Sequence, residues 1–137
     1  MTTLYFDSSA VLKLITEEQE SAALRDFIEG DNPWSSPLSL VSSRLAHIEV
    51  WRAAQRIGPH LLKTARGILG GITMLEISRD ASEQAARLQP TSLRTLDALH
   101  LAAALSARLD VVTYDHRMAR TAEGLGLTVF APAPAQK

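Results

Sequence analysis

Five short β-prone runs, each separated from the next by helical stretches, restrict what this chain can fold into more than any other feature of it. Thr3–Phe6 (TLYF), a run around Ser36–Ser39, Ile72–Ile77 (ITMLEI), Asp110–Thr113 (DVVT) and Leu127–Phe130 (LTVF) read as strands. The apolar spacing predicts helices over Ala10–Thr16, Glu18–Glu29 and a long stretch capped by Ser42 or Ser43 that runs to Ile57. Further helices are predicted over His60–Leu69, Asp80–Leu88, Leu96–Leu109 and Met118–Gly124, with Gly58-Pro59, Gly70-Gly71 and Pro90 as breaks. Strands joined through helices favour an α/β fold, a parallel sheet covered on both faces. Sheets of that kind take ligands beyond the carboxyl ends of their strands. Two acids stand at such positions: Asp7, directly after TLYF, and Asp115, directly after VVTY.

The length of 137 residues suits one core, and residues 1–131 are read as a single domain. The Pro/Ala-rich end lacks apolar periodicity, so 132–137 is expected to be a disordered tail. There is no cysteine, which excludes a disulfide framework and thiolate metal sites. MTTLYFDSSA does not resemble an export signal, and no apolar run approaches the roughly 18 residues of a membrane span. A cytoplasmic protein without membrane association is the expectation. A formal net charge of −1 argues against a simple electrostatic grip on nucleic-acid phosphates.

Each acid has an ordinary explanation when taken alone. Asp7 and Asp115 precede helices, where a carboxylate caps backbone N–H groups, and Asp97 can serve as a first-turn acid with Thr95 as N-cap. Its neighbourhood is the oddity. In TLDALHLAAAL, residues 95–105, Asp97 shares a helical face with Leu93, Leu101 and Ala104, so an ionised carboxylate there needs a counter-charge. Glu49 is grouped with Leu45, Ala46 and Ala53, and either Arg52 or Arg56 can neutralise it through a helix ion pair. The alternative is one cation shared by Asp7, Glu49, Asp97 and Asp115, whose mutual repulsion is otherwise severe. An all-carboxylate ligand set suits a hard ion that keeps several waters, Mg²⁺ or Mn²⁺, and disfavours zinc. The chemistry of such a centre is phosphoryl transfer by a metal-activated water. Ser8 and Thr113 flank the acids and can orient a carboxylate or a ligated water. His100, one turn past Asp97, reads as a hydrogen-bonded core histidine and not as a catalytic base.

Together, YFDSSAVLKL, the Ser-rich start of the helix that carries Glu49, TLDALHLAAAL and VVTYDHRMARTAEGLGLTV resemble the PIN-domain family, and closely its VapC-type toxin branch, over residues 3–130. The strongest matches are D-S-S-A at Asp7, D-A-L-H-L-A at Asp97 and V-T-Y-D at Asp115; Glu49 rests on looser context. The resemblance implies a three-layer α/β/α sandwich around a parallel sheet of four to five short strands. It also implies a Mg²⁺- or Mn²⁺-dependent endoribonuclease whose site is Asp7, Glu49, Asp97 and Asp115, with Thr113 at the family's supporting threonine position. Members of the branch are typically homodimeric toxins that cut structured RNA, often tRNA or rRNA, and stop translation. A VapB-type antitoxin blocks the site, in heterotetramers or larger assemblies.

Discounting four metal-offset acids turns the net charge of −1 into +3, and eleven of the fourteen basic residues are arginines, suited to bidentate phosphate contacts. Arg44, Arg52, Arg56, Lys63 and Arg66 fall in the predicted helical hairpin, which is a candidate RNA-facing surface, or simply a solvated one. Three other functions compete with this one. The first is a catalytically weak binding module of the same fold, acting through its antitoxin or by occluding RNA. A phosphorylated receiver domain fits poorly, because no paired acids follow the first strand and no lysine follows a late one. A haloacid-dehalogenase-like phosphatase requires a second aspartate two residues after Asp7, where Ser9 stands.

Overall fold

The computed structural model describes residues 1–135. Its five strands, β1 (Thr2–Phe6), β2 (Leu38–Ser43), β3 (Thr73–Leu75), β4 (Val111–Val112) and β5 (Val129–Phe130), form one parallel sheet in the order β3-β2-β1-β4-β5. Helices α1 (Ser8–Lys13), α2 (Ser21–Glu29), α3 (Arg44–Ile57), α4 (Leu62–Gly70), α5 (Arg79–Arg87), α6 (Thr95–Ala107) and α7 (His116–Gly124) flank it. The three-layer sandwich expected from the sequence is therefore the observed fold.

β1 is central because it is apolar on both sides. Leu4 and Phe6 point into a core shared with α1 to α4, while Tyr5 joins Val41 and Val111 in a second core under α6 and α7. α6 is buried around most of its circumference, with Ala98, His100, Leu101, Ala102, Ala103 and Ala104 all inside. Its alanines let it lie close to α3, α5 and α7, which explains a helix without a polar face.

Two expectations shift. The second strand covers 38–43 instead of 36–39, and Ser42 and Ser43 belong to it. They do not act as side-chain caps: the Ser42 hydroxyl donates to the Phe6 carbonyl at 2.6 Å, and the Ser43 hydroxyl accepts from the Tyr5 hydroxyl at 3.0 Å. α2 starts at Ser21, and Gly30, at φ +138°, ends it in a conformation that L side chains rarely adopt. Of the expected tail, 136 and 137 lie outside the described residues; the Pro132 carbonyl accepts a hydrogen bond from the Tyr114 hydroxyl at 2.7 Å. No helix among the described residues is long and apolar enough to cross a membrane.

Leu101 has no exposed surface and anchors α6 to the sheet. Leu101→Ala is expected to cost about 2–5 kcal/mol, read as a lowered urea midpoint with unchanged slope.

Candidate active site

Strand order reverses at β1. The chain runs outward from β1 through β2 to β3, then returns to place β4 on the other side of β1. Connections leaving β1 and β4 diverge there, opening a crevice at their carboxyl ends. Asp7 follows β1 and Asp115 lies three residues beyond β4.

Asp7 is almost fully buried, at 4% exposure. It caps α1: Oδ1 accepts from the Ala10 amide at 3.0 Å and the Ser9 hydroxyl at 2.7 Å, while Oδ2 accepts from the Thr113 hydroxyl at 2.5 Å. Burial raises its pKa above the ordinary carboxylate value, against the opposing pull of those hydrogen bonds and of the neighbouring His100. Thr113 also accepts from the Asp115 amide at 3.1 Å, linking the two acids through one hydroxyl. Asp115 caps α7, its Oδ1 accepting from the Arg117 and Met118 amides at 2.9 and 3.0 Å.

The Arg94 guanidinium spans the mouth. Its Nε lies 3.3 Å from Asp97 Oδ2 and its Nη2 3.3 Å from Asp115 Oδ2, so the half-buried Asp97 meets Asp115 across a shared cation. Glu49 turns toward α6 instead of along its own helix. Its Oε1 accepts from the Ser8 hydroxyl at 2.6 Å and from His100 Nε2 at 2.7 Å. Burial opposes ionisation of Glu49, but the hydrogen bonds from His100 and Ser8 and the charges of His100 and Arg94 together outweigh it, leaving the pKa below the ordinary value. The other ring nitrogen of His100 meets the buried Tyr5 hydroxyl at 2.6 Å, which continues to Ser43.

The four acids are thus joined through their partners: Asp7 to Asp115 by Thr113, Asp115 to Asp97 by Arg94, and Glu49 to the Asp7 turn by Ser8. Neither Arg52 nor Arg56 pairs with Glu49 among the described residues; His100 takes that place. The predicted basic hairpin divides. Arg44 pairs with Glu76 and, with Arg66, His47 and Trp51, lines a cleft on the side of α3 away from Glu49, while Arg52 and Arg56 are exposed. Trp34 packs edge-on against Phe27 and Phe130. Sequence reasoning missed Arg94 altogether and the link from His100 to Glu49. The signal available for Arg94 was its position immediately before the helix that carries Asp97.

As they stand, no three Asp, Glu or His side chains among the described residues are arranged to hold a metal ion. The donor chemistry nevertheless fits a hard divalent cation: all four groups offer oxygen, Asp7 is desolvated with no cationic side chain bonded to it among the described residues, and a guanidinium bridges Asp97 and Asp115 as a stand-in positive charge.

The match to the PIN domain spans residues 4–124. The chain is similar to Ribonuclease VapC46 of Mycobacterium tuberculosis, 40% identical over 136 residues that cover 97% of this chain and 100% of the relative. It is also similar to Ribonuclease VapC35 of the same species, 35% identical over 138 residues, 97% of this chain and 99% of the relative. A toxin–antitoxin complex from Klebsiella pneumoniae superposes with TM-score 0.73 at 23% identity, over 96% of this chain and 99% of that one. Mycobacterium tuberculosis VapC20, a sarcin–ricin loop cleaving toxin, does so with TM-score 0.70 at 16% identity, over 91% and 96%. The chain belongs to the PIN-domain family and, within it, to the VapC-type branch.

A buried carboxyl whose folded-state pKa lies above its unfolded one loses folding stability as pH rises through that interval, and at neutral pH, above the unfolded value, that cost is present. Asn at this position keeps acceptor and donor atoms for Ala10, Ser9 and Thr113 without the charge. Asp7→Asn is therefore expected to melt no lower than the parent in EDTA, and up to about 5 °C higher, by differential scanning calorimetry at pH 7.

Proposed function

We propose that this protein is a Mg²⁺- or Mn²⁺-dependent endoribonuclease, the toxin of a toxin–antitoxin pair, which hydrolyses phosphodiester bonds in structured RNA such as tRNA or rRNA and so inhibits translation. The carrying observation is the set of four carboxylates linked at the switch point of the sheet, with the Arg94 guanidinium between Asp97 and Asp115. Asp7, Asp97, Asp115 and Glu49 would hold the metal, which when bound lowers the pKa of a coordinated water and offsets phosphate charge.

The chain's own groups have separable tasks. Thr113, Ser9 and the Ala10 amide fix the Asp7 carboxylate, so its orientation is set before any ligand arrives. Two backbone amides occupy Asp115 Oδ1, which leaves Oδ2, now shared with Arg94, as the oxygen for a ligand. Glu49, held ionised by His100 and Ser8, is suited to accept a proton from the attacking water. The new P–O bond forms as the bond to the leaving ribose oxygen breaks, and that oxygen collects a proton.

The VapC relatives bear the name ribonuclease, and the structural neighbours include toxin–antitoxin complexes, one of them from Rickettsia felis bound to promoter DNA. These support a VapB-type antitoxin as partner and a homodimer, or a heterotetramer or larger assembly with antitoxin, working in the cytoplasm.

Purified protein should cut total cellular RNA into discrete fragments with Mg²⁺ or Mn²⁺ and not with EDTA. Asp97→Asn should slow cutting by about 100-fold or more while retaining the parent's circular dichroism. Metal-loaded, antitoxin-free protein that leaves RNA intact would turn the reading toward a binding module.

A further inference from the structure

A second cleft, of about 720 Å³, opens directly off the acid cluster. Arg94 and Asp97 belong to both. On the far side stand Arg117 and Arg120, one turn apart on α7, with Thr121 beside them; Leu93 and Leu125 supply apolar surface. Both α7 arginines are exposed, and neither forms an ion pair among the described residues. Three guanidinium groups thus share this cleft with a single carboxylate, Asp97.

That imbalance bears on a difficulty of the site itself. Four carboxylates repel an approaching polyanion, so a phosphate strand needs positive charge close by, and placed where it does not cancel the acids. Cations inside the cluster would compete for the carboxylates, as Arg94 does. Arg117 and Arg120 lie outside it, on the helix that Asp115 starts, and their planar forks suit bidentate phosphate contacts. The apolar surface of Leu93 and Leu125 in the same cleft suits a ribose or a base edge. An acidic protein segment meets the same guanidinium groups, but has no reason to continue into a pocket of carboxylates, whereas an RNA strand must.

Building on the ribonuclease reading, we infer that this cleft is the backbone-binding subsite for the RNA next to the scissile bond, with Arg117 and Arg120 gripping consecutive phosphates. Arg94 is the link between subsite and centre, released from Asp97 and Asp115 to reach the phosphate when another cation takes its place.

The test is binding of a fluorescein-labelled RNA hairpin to full-length Asp7→Asn protein in Mg²⁺, with and without R117Q/R120Q, followed by fluorescence anisotropy at several salt concentrations. The double variant is expected to bind about tenfold or more weakly, and its log–log salt slope should fall by about 1 to 1.5. R117K/R120K should restore the slope. In the chain with Asp7 intact, R117Q/R120Q should raise KM for RNA cleavage and leave kcat near the parent's. Equal affinity and equal slope overturn the inference, as does the absence of any measurable binding to the Asp7→Asn protein. Loss of binding to a poly-glutamate peptide with RNA binding unchanged also overturns it, assigning the cleft to an acidic protein segment. Cleavage by the unsubstituted chain separates the two levels: if it cuts RNA while the arginine variants behave like the parent, the subsite falls and the ribonuclease stands. If it cuts nothing, both fall.

Discussion

The pairing of β1 with β4 is the constraint on which the site depends. The ladder sets Phe6 against Val112, and the Asp7 amide extends it by donating to the Val112 carbonyl at 3.2 Å. One residue further, the Thr113 hydroxyl meets the Asp7 carboxylate. Because side chains alternate along a strand, a slip of one residue would turn Thr113 to the opposite face and leave a buried carboxylate short of a donor. The register of two short strands therefore decides whether the acids can meet, and the helices on both faces keep that register from slipping.

Around this junction, positive charge is rationed. Two nitrogen side chains, the exposed Arg94 at the mouth and the buried His100 in the core, serve three of the four acids, and the deepest, Asp7, is left to hydroxyls and one amide. A fold selected only for stability would neutralise the buried acid first. The reverse arrangement here resembles other sites in which stability yields to chemistry.

How much could be read without coordinates depended on how local each signal was. β1, α6 and the aspartates at 7, 97 and 115 were legible because each sits at the junction of a periodic segment and its cap, a pattern contained within a few residues. β2 was misplaced because Ser42 and Ser43 look like helix caps. Only the fold shows that their hydroxyls meet the Phe6 carbonyl and the Tyr5 hydroxyl. Local spacing offers Arg52 and Arg56 as partners of Glu49 along its own helix, whereas His100, fifty-one residues on, is the partner. Arg94 and the α7 arginines carry no local signal for the same reason: their meaning comes from the crevice between elements, which periodicity does not encode. The charges of the basic hairpin cluster in sequence, yet Arg44 and Arg66 line a cleft on the side of α3 away from Glu49.

Asp7 and Asp115 each spend one carboxylate oxygen on the first amides of a helix, at Ala10 and at Arg117 and Met118. The carboxylates that begin α1 and α7 are therefore also the ones that stand at the crevice. Electron density drawn toward a ligand at either carboxylate is withdrawn from those hydrogen bonds, so three ordinary amide protons become native spectroscopic probes of site occupancy. Each of the two carboxylates can thus be watched on its own without an added label.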